Sequence, residues 1–170
     1  MVDIGERFFV VDSMSGNLAK WVRILGCSVK YVTPELDDSS VLNMLEGGIL
    51  ITRDSELLRK AVRLGYEAHE VPQDLLDAIA VLSSRFGVRL KVDARRTRCP
   101  FCDTPLEILS RASIISELPK EVLRGHRRFL TCRNCGKVFW FGSHYWKMLR
   151  TLARAKRKLL LDQSKSSSPG

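Results

Sequence analysis

Two pairs of cysteines, Cys99-Pro100-Phe101-Cys102 and Cys132-Arg133-Asn134-Cys135-Gly136, carry the sharpest chemical signal in the chain. Each CxxC turn can present two thiolates, and four soft sulfur ligands are what a tetrahedral Zn²⁺ ion takes. Residues 103–131 separate the two turns, more chain than a zinc ribbon usually carries there, so a helix or long hairpin must fill the gap. With all four positions filled by Cys99, Cys102, Cys132 and Cys135, such an ion has no open coordination site, and its role is structural. A redox CxxC usually comes singly at a helix start, which sets that chemistry aside. The fifth cysteine, Cys27, lies in a strand-like run and reads as a small buried hydrophobe.

The second set of candidates is acidic. Asp12 follows the apolar run Phe8-Phe9-Val10-Val11, and Asp54 follows Ile49-Leu50-Ile51-Thr52 after one residue. Runs of this kind suit strands buried in a parallel sheet. Asp38, with Asp37 beside it, begins a helical stretch whose N-terminus faces the same rim. In an open parallel sheet the carboxyl ends of the strands border the crevice where ligands bind. Carboxylates gathered there repel one another unless they are protonated or bridged by cations. Mg²⁺ or Mn²⁺, hard ions served by carboxylates and water, would relieve that repulsion and activate water toward a phosphodiester. Any one of these Asp residues also suits a helix cap or a solvated loop; their coincidence points to a site.

The elements that must position these groups alternate along the first ninety residues. Strands are expected at 8–11, 27–32, 49–52 and 66–71, with one more over Val88–Val92. Between them, Leu18, Ala19, Val22 and Leu25 mark one face of a helix that Ser15 or Asn17 could cap. Further helices are expected from Ser39 to Leu45, from Ser55 to Leu64, and from Pro72 to Gly87. A repeated strand–helix rhythm implies an α/β fold, a parallel sheet covered on both faces by helices. The basic junction Arg95-Arg96-Thr97-Arg98 leads into the cysteine-bearing part. This divides the chain into an α/β domain over 1–96, a zinc ribbon over 97–142, a basic amphipathic helix over 143–162 and a disordered tail over 163–170. On the helix, Leu149, Leu152, Ala153 and Leu160 are the expected apolar side, and Arg150, Arg154, Arg157 and Lys158 the basic stripe.

Charge is divided as unevenly as the cysteines. Residues 1–96 hold 13 Lys/Arg against 14 Asp/Glu, whereas residues 97–170 hold 15 against 5, so the excess of +9 resides wholly in the second part. Such asymmetry points to a polyanionic partner, nucleic acid before an anionic membrane surface. Phe139-Trp140-Phe141 and Tyr145-Trp146 lie beside Arg127, Arg128, Lys137 and Lys147, a mixture suited to stacked bases and phosphates of single-stranded nucleic acid. The same aromatics, Trp140 foremost, also suit the core of a small domain. No apolar run is long enough to span a membrane. The acidic opening Met1-Val2-Asp3-Ile4-Gly5-Glu6 has no signal-peptide character, so a cytoplasmic protein with reduced thiols is expected. P-loop, Gly-x-Gly-x-x-Gly, serine-hydrolase and zincin motifs are absent. A receiver-like phosphoacceptor domain would need an acidic pair where Asp12-Ser13 stands, and would leave the ribbon unexplained.

Several stretches together resemble the Mut-seven C-terminal RNase domain family. These are Phe9-Val10-Val11-Asp12-Ser13-Met14 with Gly16 to Gly26, Ile49 to Leu57, Arg98 to Cys102, Cys132 to Trp140, and Gly142 to Met148. Ser28 departs from the family's frequent Asp, and Ser15-Gly16-Asn17 replaces a more usual Leu-Gly-Arg/Lys. The resemblance implies a PIN-like three-layer α/β domain joined to a zinc ribbon, with metal-dependent ribonuclease activity on RNA. It maps the family's acidic cluster onto Asp12, Asp38 and Asp54, and its zinc ligands onto Cys99, Cys102, Cys132 and Cys135. A PIN nuclease normally carries a fourth acid, for which Asp37 is the candidate. Arg127, Arg128, Lys137, Lys147, Arg150 and Arg154 are the expected RNA contacts. The alternative is an RNA-binding adaptor of the same fold without catalysis.

Overall fold

The computed structural model describes residues 7–114 and 118–166. Residues 1–6 and the end of the expected tail, 167–170, lie outside the described residues. The first part contains β1 (Phe8–Val11), α1 (Gly16–Ile24), β2 (Val29–Tyr31), α2 (Asp38–Asn43), β3 (Gly48–Thr52), α3 (Ser55–Arg63), β4 (Ala68–Glu70) and α4 (Leu75–Phe86). All pairings are parallel and the strand order is β2-β1-β3-β4. The chain steps from β1 outward to β2, then crosses back over β1 to β3, so the direction of winding reverses between β1 and β3.

Alternation along the central strands builds the layers, because successive side chains of a strand point to opposite faces. Phe9, Val11, Ile49 and Ile51 face a core shared with α1 and α4, while Val10 and Leu50 face a second core completed by α2 and α3. Every residue of β3 is buried, as expected for a strand covered on both sides. This is the three-layer α/β arrangement expected from the sequence. The segment Val88–Val92, expected as a fifth strand, pairs with none. Val88 and Leu90 nevertheless enter the first core. The run bends at Leu90 and Lys91, so it buries alternate residues and satisfies a period-two pattern without forming a ladder. Pro72 likewise lies outside α4, which starts later with Asp74 as its cap.

The second part forms an antiparallel sheet from β5 (Glu107–Ser110), β6 (Arg128–Thr131) and β7 (Val138–Trp140), with α5 (Lys120–Gly125) between the first two strands. The long spacer between the cysteine turns therefore holds two strands and a helix. Helix α6 (Ser143–Ser166) follows. It continues past 162, the expected boundary of the tail, since Gln163 to Ser166 include no Pro or Gly to stop a helix already nucleated. Its buried stripe also differs from expectation. Met148, Leu152 and Ala155 are buried, whereas Leu160 is 64% exposed and Ala153 faces solvent. Packing decides this register: Leu152, Ala155 and Leu159 join the first core beside α4, and Lys158 pairs with Asp77.

A cluster of charge fastens the two sheets together. Arg23 of α1 is buried, and donates from Nε and Nη2 to the Val29 carbonyl at 3.1 and 2.7 Å and from Nη1 to the Pro100 carbonyl at 3.0 Å. Asp103, just after the first cysteine turn, accepts from the Val29 amide at 3.0 Å, the Ser28 hydroxyl at 2.6 Å and Arg98 Nε at 3.1 Å. It lies 3.5 Å from Arg23 Nε. Ser28, the departure from the family pattern, thus supplies a hydroxyl where a second carboxylate would repel Asp103. Nearby, Thr97 Oγ1 donates to the Ile24 carbonyl and the Arg98 amide to the Arg23 carbonyl, which also accepts from the Gly26 amide, closing the end of α1. Asp103 adopts a left-handed backbone, φ 65°, which Asn tolerates better than Ala. Removing it strands a buried guanidinium, so Asp103→Ala should lose about 3 kcal/mol in urea unfolding. Asp103→Asn, keeping an acceptor and the backbone, should lose about 1–2 kcal/mol. Wild-type stability in Asp103→Ala would show that the two sheets are held together by other contacts.

Candidate functional site

The crevice lies where the winding reverses, at the carboxyl ends of β1 and β3. This is where an open α/β sheet binds its ligands. Val11 pairs with Ile51, so Asp12 and Thr52 follow side by side. Asp12 is 5% exposed, and its Oδ2 accepts from Thr52 Oγ1 at 2.5 Å and from the Arg53 amide at 2.7 Å. Thr52 Oγ1 in turn accepts from the Asp54 amide at 2.9 Å. The segment Thr52-Arg53-Asp54 therefore wraps one oxygen of Asp12 and leaves Asp12 Oδ1 buried without a partner. Ser15 Oγ and Arg53 Nε are buried and unpartnered on the same two segments. Buried polar atoms are normally satisfied, so three orphans at one rim mark a place built for something other than stability.

The remaining acids have local employment. Asp54 caps α3, its Oδ1 accepting from the Glu56 and Leu57 amides at 2.8 and 3.1 Å. Its second oxygen takes no hydrogen bond from a described residue. The cap of α2 is Asp37 rather than Asp38, through the Ser40 amide at 2.8 Å. The Ser40 hydroxyl and amide hold the Asp37 carboxyl below its ordinary range. Asp38 pairs with Lys60 Nζ at 3.2 Å. The crevice thus brings Asp12 together with the segment that carries Asp54, while Asp38 is engaged by α3. Among the described residues, the four cysteines form the only group of three or more metal-ligating side chains whose donor atoms all lie within 4.8 Å of one another.

Thr52 and Arg53 carry no role in the sequence reading, yet both shape the crevice. A lone hydroxyl ending an otherwise apolar, fully buried strand is the signal for Thr52, because such a group needs a partner. The Arg53 side chain donates to the carbonyls of Met14 at 3.2 Å and Gln73 at 2.9 Å, tying the loop after β1 to the loop after β4. Only the folded sheet puts those loops side by side.

The cysteine quartet fits zinc. The sulfurs of Cys99 and Cys135 are 3.6 Å apart and those of Cys102 and Cys132 are 3.3 Å apart. A tetrahedron of four sulfurs about 2.3 Å from zinc has edges of about 3.8 Å, whereas a disulfide needs about 2.05 Å. Leu106 and Leu130 bury the cluster with Phe139 and Phe141 against it. Burial pushes the Cys99 thiol up to about 12, and hydrogen bonding with Thr104 draws Cys102 down to about 5. Burial also raises the Cys27 thiol, in keeping with a packing role. Trp140 is 40% exposed and so is not the core residue expected. The six expected RNA-contacting cations, Arg127, Arg128, Lys137, Lys147, Arg150 and Arg154, are all exposed.

An α/β domain with acids where its sheet winding reverses, fastened to a four-cysteine ribbon, defines the class. The chain belongs to the Mut7-C RNAse domain family, whose model matches residues 7–152, both sheets and the first half of α6 included. Comparison with curated proteins and with solved structures returns no match.

Elemental analysis should find one zinc per chain, and Cys132→Ser should release it and unfold the ribbon, since metal binding is folding energy there. Zinc must displace the Cys99 proton at any pH below about 12 and the Cys102 proton as well below about 5. Affinity should therefore fall as pH falls. A competition titration with a zinc-sensitive dye checks the sign.

Proposed function

We propose that this protein is a metal-dependent ribonuclease that hydrolyses RNA phosphodiesters at the crevice between β1 and β3. The observation that supports this most is Asp12 Oδ1, a buried carboxylate oxygen without a partner, at the point of the sheet where ligands bind. Its orphaned state and hard oxygen chemistry fit a divalent cation. Asp12 and the free oxygen of Asp54 would hold Mg²⁺ or Mn²⁺, and Asp38 would join them by exchanging Lys60 for the ion, with Asp37 beside it at the same rim. When bound, the metal lowers the pKa of a coordinated water and stabilises charge on the attacked phosphate. The chain's own contribution is orientation. Thr52 and the Arg53 amide fix one oxygen of Asp12 and leave the other for the ion. The Arg53 guanidinium keeps the flanking loops together.

RNA is the polyanion the basic half would bring to the crevice. The exposed Arg150 and Arg154 lie away from the stripe that packs on α4, and Arg127, Arg128, Lys137 and Lys147 are exposed on or beside the ribbon. Neutralising several phosphates releases counterions, so affinity should fall steeply between about 50 and 200 mM salt. Charge reversal of Arg150 and Arg154 should weaken binding alike for all RNA sequences. A flat salt response would remove RNA from the basic face.

The second reading is a non-catalytic RNA-binding adaptor, and the Asp38–Lys60 ion pair favours it by occupying one of the acids. Asp12→Asn and Asp54→Asn separate the two. Asn retains the cap on α3 and the acceptor for Thr52, so zinc content and RNA binding should stay nearly unchanged while cleavage with Mg²⁺ or Mn²⁺ is abolished. A buried carboxylate oxygen without a partner is destabilising. Asp12→Asn should therefore match or exceed wild-type thermal stability without divalent ions, and should lose the stabilisation that Mg²⁺ or Mn²⁺ confers on wild type. Cleavage that survives both substitutions would refute the crevice as the active site. A wild-type protein that binds RNA but is inert with both metals would be the adaptor.

A further inference from the structure

Beside the crevice, a cleft of about 440 Å³ runs between α1, the ribbon and the start of α6. Its size falls within the roughly 300–1,000 Å³ of small-ligand sites. We infer that this cleft seats one unpaired nucleotide of an RNA strand, its base against the ribbon aromatics and its phosphate on Lys20 and Lys137. The inference rests on the reading of RNA as the substrate and adds how a single strand is distinguished and placed.

The walls are aromatic. Trp21, Phe101, Phe139, Trp140 and Tyr145 all contribute, and Asn17 and Thr97 add polar atoms. Phe101 is 55% exposed although it sits inside a cysteine turn. Its ring stacks on Phe139, centroids 6.4 Å apart and planes 18° apart, and the remainder is left in water. Two ammonium groups from different parts of the fold converge on it: Lys20 Nζ lies 5.8 Å and Lys137 Nζ 4.9 Å from its centroid. Neither lysine pairs with a carboxylate among the described residues. Two like charges over one exposed ring repel, and an anion carrying a flat ring relieves that repulsion while adding to the aromatic wall. A nucleotide is that combination, and bases of any identity stack on such platforms. In a duplex the bases are stacked on their neighbours and cannot enter.

Position supports the same conclusion. The cleft follows α1 from Asn17 through Lys20 and Trp21 to Ile24, and α1 begins one turn after Asp12, with the Ser15 amide bonded to the Asp12 carbonyl at 3.1 Å. Helix α1 thus links the cleft to the segment that carries Asp12.

The test measures binding without added divalent ions, using a short fluorescein-labelled oligouridylate and the same strand annealed to oligoadenylate. Phe101→Ala should weaken single-strand binding about ten- to a hundredfold while leaving the duplex unchanged. Lys20→Ala, on the exposed side of α1, should weaken the single strand in the same direction with no risk to the zinc site. Binding should also quench Trp21 and Trp140 fluorescence. Zinc content confirms that the Phe101 variant is folded. Unchanged single-strand affinity in both variants, or an equal loss for single strand and duplex, would overturn the cleft. Cleavage is assayed separately. Preserved cleft binding in a wild-type protein that cleaves nothing would refute the ribonuclease and leave this inference standing. Normal cleavage with an indifferent cleft would do the reverse.

Discussion

The Asp103 carboxylate, set between Arg23, Arg98, the Ser28 hydroxyl and the Val29 amide, is the contact on which the arrangement of the molecule depends. A guanidinium as buried as that of Arg23 is tolerated only with its donors met and its charge balanced. It meets Val29 in the edge strand, Pro100 in the cysteine turn and Asp103 just beyond. One side chain of α1 thereby positions the ribbon. Since α1 begins beside Asp12, the same contact sets the distance between the acids and the ribbon aromatics. It is also tied to the candidate zinc site, because the turn that carries Cys99 and Cys102 is the turn that presents Asp103.

The covalent path reinforces this. After Val92 the chain leaves the first sheet, builds the ribbon and returns through α6 to pack on α4. The ribbon is therefore tied at both ends, by residues 93–98 closing α1 and by Leu152 and Ala155 in the first core. A module this small buries little apolar surface on its own, and these attachments add to what holds it. The same docking turns Arg150 and Arg154 outward, so one helix serves the core on one face and carries exposed cations on the other.

The crevice follows a different logic from the latch. Around Asp103 every donor finds an acceptor, whereas at the ends of β1 and β3 Asp12 Oδ1, Ser15 Oγ and Arg53 Nε find none. Local consistency is expected where the fold is being held, and its loss at the rim is what supports the proposed site.

Much of this was legible from residue order. The paired CxxC turns, the strand–helix rhythm, the position of Asp12 and Asp54 at strand ends and the basic second half are all local patterns, because ligand spacing, periodicity and charge are properties of neighbours along the chain. Patterns of the same kind misplace Val88–Val92, where alternation serves packing without a ladder, and Leu160, where helical periodicity alone does not say which face docks. Tertiary structure alone decided the rest: the pairing of Arg23 with Asp103, the cradle of Thr52 and the Arg53 amide around Asp12, the ion pair that occupies Asp38, and the convergence of Lys20 and Lys137 on Phe101. Each joins residues far apart in sequence. A buried charge or an orphaned oxygen is defined by what surrounds it, and those surroundings exist only once the sheets, the ribbon and α6 have closed on one another.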